Sequence, residues 1–213
     1  MNFNARMTPD ERLIIMAVLI GALTALIALT LAMRAGHMTQ VDQTLLSGFH
    51  KIKHPVLDHF FSSITWLGSL WILLPAYLLL VLTLSGTFEH IERVMGIGFF
   101  GAVITTYVIK YALERKRPHF FSTINELPID PAFPSAHTTQ IIAFSLLLWI
   151  VVYSGASIGN FILTLTLIGV AASVVLSRMY LQVHFPSDVM AGALIALIWA
   201  CIAVLATKSG GVS

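Results

Sequence analysis

Long apolar stretches alternate with short polar ones along almost the whole chain. Residues 13–33 are apolar, with Thr24 and Thr30 as mild interruptions. At about 1.5 Å per residue a helix over this run crosses about 30 Å of hydrocarbon. Further apolar runs cover residues 60–84, 95–113, 138–153, 161–176 and 185–206. The connections are a polar turn at 86–92, a loop at 114–136, a tight turn at 154–160 and a polar tail at 208–213. The loop carries Pro118, Pro128, Pro131 and Pro134, which bar a helix there. Pro186 falls in the opening turn of the last run, where proline is tolerated. The pattern predicts an all-α integral membrane bundle of six transmembrane helices. It forms one domain over residues 1–213, with its polar motifs between 110 and 188.

Residues 35–58 read differently. Val41, Leu45, Phe49, Ile52 and Val56 recur at helical spacing, while Asp42, His50, Lys51 and Lys53 lie elsewhere around the wheel. This predicts an amphipathic helix after the first span, lying in the membrane interface. A helix packed on the protein's own core fits the same spacing.

Composition narrows the class. The chain of 213 residues is 57% hydrophobic and 10% charged, against about 25% charged in a soluble domain. So few charges cannot cover a water-facing surface, which excludes a soluble enzyme. A net charge of +2 makes no case for nucleic acid. The single cysteine, Cys201, excludes an intrachain disulfide. The first apolar run is too long for a signal-peptide core and no cleavage pattern follows it, so it reads as a retained helix.

Six crossings put both termini on one side. On the other side they gather the end of the third span, the start of the fourth, the end of the fifth and the start of the sixth. Three polar clusters sit at those ends, so the count alone brings them to one face. Charge counting does not choose the side. Arg6, Arg12, Arg93 and Lys208 lie with the termini, and Arg34, Lys51, Lys53, Arg115 and Lys116 lie opposite.

The first cluster holds Lys110 and Arg117, seven residues apart and so on one helix face, followed by Pro118. A lysine within a span points to function, although one reaching up to the interface reads the same way. Arg115 and Lys116 read as a solvated or headgroup-facing charge run. The second cluster is Pro134-Ser135-Ala136-His137, which opens the fourth span. Ser135 suits a helix cap, Ala136 offers a backbone N–H, and His137 exchanges protons near neutral pH. A helix start also favours an anion. The third cluster is Ser177-Arg178, then His184, then Asp188. A histidine and an aspartate four apart can pair, fixing the ring's tautomer. The same pair would serve as a staple between two helices. Arg178 supplies a planar fork suited to phosphate oxygens. Three cations, two histidines, a carboxylate and a helix start on one face suit a transferring phosphoryl group. Acidic residues are few and no Cys–His ligand pattern appears, so no metal or other cofactor is expected.

These residues resemble the three-part signature of the type 2 phosphatidic acid phosphatase superfamily. The parts are Lys110-x6-Arg117-Pro118, Pro134-Ser135-Ala136-His137 and Ser177-Arg178-x5-His184-x3-Asp188. The family's second motif has glycine where this chain has Ala136. The resemblance implies that His184 attacks phosphorus, that Asp188 orients it, and that His137 protonates the leaving oxygen and later activates water. It implies that Lys110, Arg117, Ser135, the Ala136 N–H and Arg178 hold the phosphoryl oxygens without a metal. It further implies a lipid phosphate substrate in the bilayer of a bacterial inner membrane. The termini would then be cytoplasmic and the site periplasmic. Family substrates include undecaprenyl pyrophosphate, phosphatidylglycerophosphate, phosphatidic acid and lipid A phosphates. A lipid phosphotransferase would use the same residues and intermediate. A transporter or proton pathway would use Lys110, His184 and Asp188, but leaves Arg117, Ser135 and Arg178 without a role. The oligomeric state is open.

Overall fold

The computed structural model describes residues 7–84, 90–119, 121, 128–153 and 155–209. Most of the predicted turn at 86–92, the loop positions 122–127 and the end of the tail lie outside the described residues. Among the described residues all regular structure is helical. The elements are α1 (Pro9–Arg34), α2 (Thr39–Lys51), α3 (Pro55–Ile64), α4 (Leu70–Leu84), α5 (Ile91–Met95), α6 (Gly101–Leu113), α7 (Ala136–Val152), α8 (Ile158–Tyr180) and α9 (Pro186–Ser209). Four helical stretches are long and apolar enough to cross a membrane: α1, residues 91–113 (α5, a wide turn and α6), α8 and α9. The protein is therefore a multi-pass membrane protein.

The second predicted span is not one helix. It starts earlier, at Pro55, and tightens into a 3₁₀ turn over Thr65–Gly68; Ser69 then adopts an extended conformation, and α4 leaves at 48° to α3. Counted as one, this bent pair gives a fifth candidate span. Ser62, Ser63, Thr65, Gly68 and Ser69 weaken the apolar pattern at the bend, and a tertiary contact fixes it there. A Cβ on Gly68 would lie 2.6 Å from the Val174 side chain and 3.2 Å from the His137 carbonyl. The turn is pressed against the start of α7 at a point only glycine allows. At 17 residues, α7 is the shortest of the predicted spans.

The central helix is α9, packed on α1 and α7, with α7 also against α8. Another glycine sets the height of the site. A Cβ on Gly192 would lie 2.8 Å from the Ser135 carbonyl and 3.0 Å from Thr139 Oγ1. Its absence lets the start of α7 rest on α9, where the Ser135 N–H donates to the Asp188 carbonyl at 3.0 Å. That contact ties the second polar cluster to the third.

Helix α2 forms, and it stops short of the full predicted stripe. His54 is extended, as a residue before proline is driven to be, and α3 starts at Pro55. Val41, Leu45, Ile52 and Val56 are exposed, so the stripe is not buried in the protein's core. Asp42 and Leu46 are the residues of α2 turned fully inward.

Candidate active site

The three polar clusters meet around a cavity of about 520 Å³. Arg117, Ala136, His137, Arg178 and His184 line it, and Asp130 joins them from the loop before α7. The lining also includes Leu70, Trp71 and Leu74 of α4, Tyr107 of α6 and Gln140 of α7. Three of the predicted site residues do not line the cavity. Lys110, Ser135 and Asp188 are fully buried behind it.

His184 lies in the short link between α8 and α9 and is 1% exposed. Its Nε2 stands 3.1 Å from Arg117 Nη1. A guanidinium only donates, so Nε2 is the acceptor and the ring proton sits on Nδ1. Nδ1 faces Asp188 Oδ2 at 3.5 Å, longer than a hydrogen bond, and has no closer partner. Burial lowers the basicity of His184 well below that of an ordinary histidine, and the Arg117, Arg178 and Lys110 charges lower it further. The ring is neutral at neutral pH, and its Nε2 lone pair is held by Arg117 at the edge of the cavity.

Asp188 is held by other partners. Its Oδ2 accepts the Phe185 N–H at 2.8 Å and its Oδ1 accepts Arg115 Nη1. Arg115 was expected to face solvent or headgroups. Instead it lies over the Phe185 ring and bridges two buried carboxylates, Asp188 and Asp42, with Nη2 2.7 Å from Asp42 Oδ2. Asp42 of α2 also accepts the Ser187 N–H at 3.0 Å and the Ser187 hydroxyl at 2.6 Å. A largely buried network thus joins α2 to the base of the His184 link. Asp42→Ala should lower stability by about 3 kcal/mol, because it leaves Arg115 Nη2 and the Ser187 N–H without their acceptor. A fall in the melting temperature in detergent checks this.

Ser135 occupies the cap position of α7 but makes no capping bond with its side chain. Its hydroxyl accepts from Thr138 Oγ1 at 3.1 Å. The serine is buried under α9, and no side chain of its own closes the first N–H groups of α7. Arg178 reaches Thr65 Oγ1 through Nη1, while its buried Nε has no partner. Arg117 donates to the Val183 carbonyl at 2.8 Å and to the Asp130 carbonyl at 2.9 Å. Its Nη2 meets Asp130 Oδ1 at 2.8 Å, and Lys110 Nζ meets Asp130 Oδ2 at 2.8 Å. Burial alone would raise the Asp130 carboxyl, but Lys110 and Arg117 outweigh it and hold it below the usual carboxylate range. Asp130, Asp42 and the bridging role of Arg115 were not anticipated from the sequence. One question would have found Asp130: what neutralises Lys110 and Arg117 when no ligand is bound. Among the described residues no group of three or more His, Cys, Asp or Glu is placed to hold a metal ion.

Apolar helices thus surround a pocket lined by Arg117, Arg178, His137 and His184. Residues 92–209 match the model of the PAP2 superfamily, and the chain belongs to that superfamily. Its fold is similar to that of a transmembrane PAP2-type phosphatidylglycerolphosphate phosphatase from Bacillus subtilis. The TM-score is 0.76 at 22% identity, over 87% of this chain and 93% of that one. It is also similar to LpxE from Aquifex aeolicus, with a TM-score of 0.63 at 24% identity, over 76% of this chain and 94% of that one. No curated protein matches the sequence.

Proposed function

We propose that the protein is a membrane lipid phosphatase that hydrolyses a lipid phosphate monoester or pyrophosphate through a phosphohistidine on His184. The observation that carries this reading is a single cavity lined both by Arg117, Arg178, His137 and His184 and by the apolar Leu70, Trp71 and Leu74. The cationic part of that lining suits a charged head and the apolar part suits a lipid tail. The candidate lipids are those the resemblance implies: undecaprenyl pyrophosphate, phosphatidylglycerophosphate, phosphatidic acid and lipid A phosphates.

In the first step the lone pair of His184 Nε2 forms a bond to phosphorus. The bond from phosphorus to the lipid oxygen breaks, and His137 gives that oxygen a proton. In the second step His137 takes a proton from water, the hydroxide attacks phosphorus, and the N–P bond returns its electrons to His184. Arg117 and Arg178 hold the phosphoryl oxygens, with the N–H groups that open α7 beside them, while the Ser135 hydroxyl lies behind the wall on Thr138. Lys110, buried behind the wall, holds the Asp130 carboxylate at 2.8 Å and meets a phosphoryl oxygen only when Asp130 gives way. Asp188 stands beside Nδ1 and favours the tautomer whose other nitrogen attacks.

The protein itself supplies the positive charge, so activity should survive chelation. Vanadate adopts the five-coordinate geometry of the transition state and should inhibit strongly. Phosphate release from a panel of lipid phosphates in detergent, with EDTA and then with vanadate, tests this. Loss in EDTA with recovery in magnesium would overturn it.

Counting the bent pair as one span and α7 as another makes six crossings, the lower limit of span length being about 17 residues. The exposed stripe of α2 would then lie in the interface. The termini would be cytoplasmic and the cavity periplasmic, in the inner membrane of a bacterium. Ile129, beside Asp130, is fully exposed. Ile129→Cys, with Cys201→Ala, should react with an impermeant thiol reagent in cells whose outer membrane alone is opened. Labelling only after inner-membrane lysis would reverse the orientation.

A further inference from the structure

The two cations of the first motif do not wait empty. Lys110 and Arg117 each place a nitrogen 2.8 Å from a different oxygen of the Asp130 carboxylate. The surrounding main chain completes the grip: the Asp130 carbonyl accepts Arg117 Nε at 2.9 Å, and the Pro131 carbonyl accepts Lys110 Nζ. Two carboxylate oxygens thus meet the pair as two phosphate oxygens would. Arg178 is different. It is 4% exposed, has its Nη1 on a threonine, and leaves Nε without a partner. Asp130 lines the same cavity as Arg117, His137 and His184, and its side chain is 26% exposed, so it borders water as well as the cations.

We infer that Asp130 is the resident anion of the Lys110–Arg117 pair and that it drives release of inorganic phosphate by retaking those cations. The inference rests on reading the cavity as a phosphate site. A phosphate dianion held by buried cations leaves slowly, because its departure strands unpaired charge in a dry place. An adjacent carboxylate that recaptures the cations removes that penalty. A purely structural role for Asp130 makes the opposite prediction. If the carboxylate only aligned Lys110 and Arg117, removing it would leave them misplaced and phosphate would bind more weakly.

The test is competitive inhibition of aryl phosphate hydrolysis by inorganic phosphate, in wild type and in Asp130→Asn, both in detergent. The inhibition constant should fall roughly tenfold or more in the variant, the scale of one lost charge-assisted competitor. Turnover should fall with it as release slows. An unchanged or raised inhibition constant overturns the inference. A wild type that hydrolyses no aryl phosphate overturns the phosphatase reading as well. A wild type that is active and phosphate-inhibited, beside a variant with no tightening, overturns only the role of Asp130. A second measurement keeps Asp130 itself intact. Ile129→Cys with Cys201→Ala, labelled with an environment-sensitive fluorophore, should change emission as phosphate is added, at the concentration that inhibits. No change at saturating phosphate means that the carboxylate is not displaced, and the inference fails even if Asp130→Asn does not fold.

Discussion

His184→Ala should lose turnover by roughly 10⁵-fold or more, the scale seen when a covalent nucleophile is removed. The loss should be the same for good and poor leaving groups, because no N–P bond forms with either. His137→Ala should behave differently. Its loss should be roughly 10²- to 10⁴-fold on a lipid phosphate, whose alkoxide needs a proton, and much smaller in the first step on an aryl phosphate. The ratio of the two substrates in each variant therefore separates the roles. The pH profile adds a check. A histidine attacks only when neutral, that is, above its own pKa. Burial, helped by the nearby arginines, lowers that of His184, so it stays competent as the pH falls through 6.5. After correction for the substrate's own ionisation, the acid limb of kcat/KM should lie below pH 6.5. A limb at or above the ordinary histidine value would mean that His184 is not the free base of the ligand-free enzyme.

Arg117→Ala should lower kcat/KM by roughly 10³-fold, the upper range for one donor to a developing charge. Arg117 has four other attachments besides the phosphate it is proposed to hold: the Asp130 carboxylate, the Asp130 carbonyl, the Val183 carbonyl and His184 Nε2. Arg117→Lys should recover little. A lysine keeps the charge but cannot reach all of these from one rigid plane. Kinetics of both variants on an aryl phosphate check this. A lysine variant within about threefold of wild type would show that a point charge is enough.

The apolar runs announced the long helices, because membrane spans need uniform composition and little else. The clusters stood out because Lys110 lies inside an apolar run while Arg117, His137, Arg178 and His184 lie just beyond the ends of runs, and the fold gathers the last four around one cavity. What the sequence hid are the features that depend on distant neighbours. The bend at Thr65–Ser69 shows in the sequence only as a weakened apolar pattern, because what fixes it is Gly68 against α7. Arg115 and Arg117 stand two residues apart in one basic run. Only the fold sends Arg117 to His184 and Arg115 to the Asp42–Asp188 pair. Asp42 looked like one polar position of an amphipathic wheel, and nothing local signals that it meets Ser187, 145 positions away in the chain. Asp130 sits among prolines in a loop, where an acidic residue is ordinary. Its partners are ordinary only until they are found buried. Ser135 carried a capping signal that the structure does not use, because the serine side chain meets Thr138 instead.

The central claim is that the phosphoryl group passes through His184. Rapid quench of wild-type protein with radioactive aryl phosphate, followed by peptide mapping, tests it most directly. The expected result is label on the peptide containing His184, stable in base and released by acid, and absent from His184→Ala. Label that survives acid, maps to another residue or persists in His184→Ala would contradict the account.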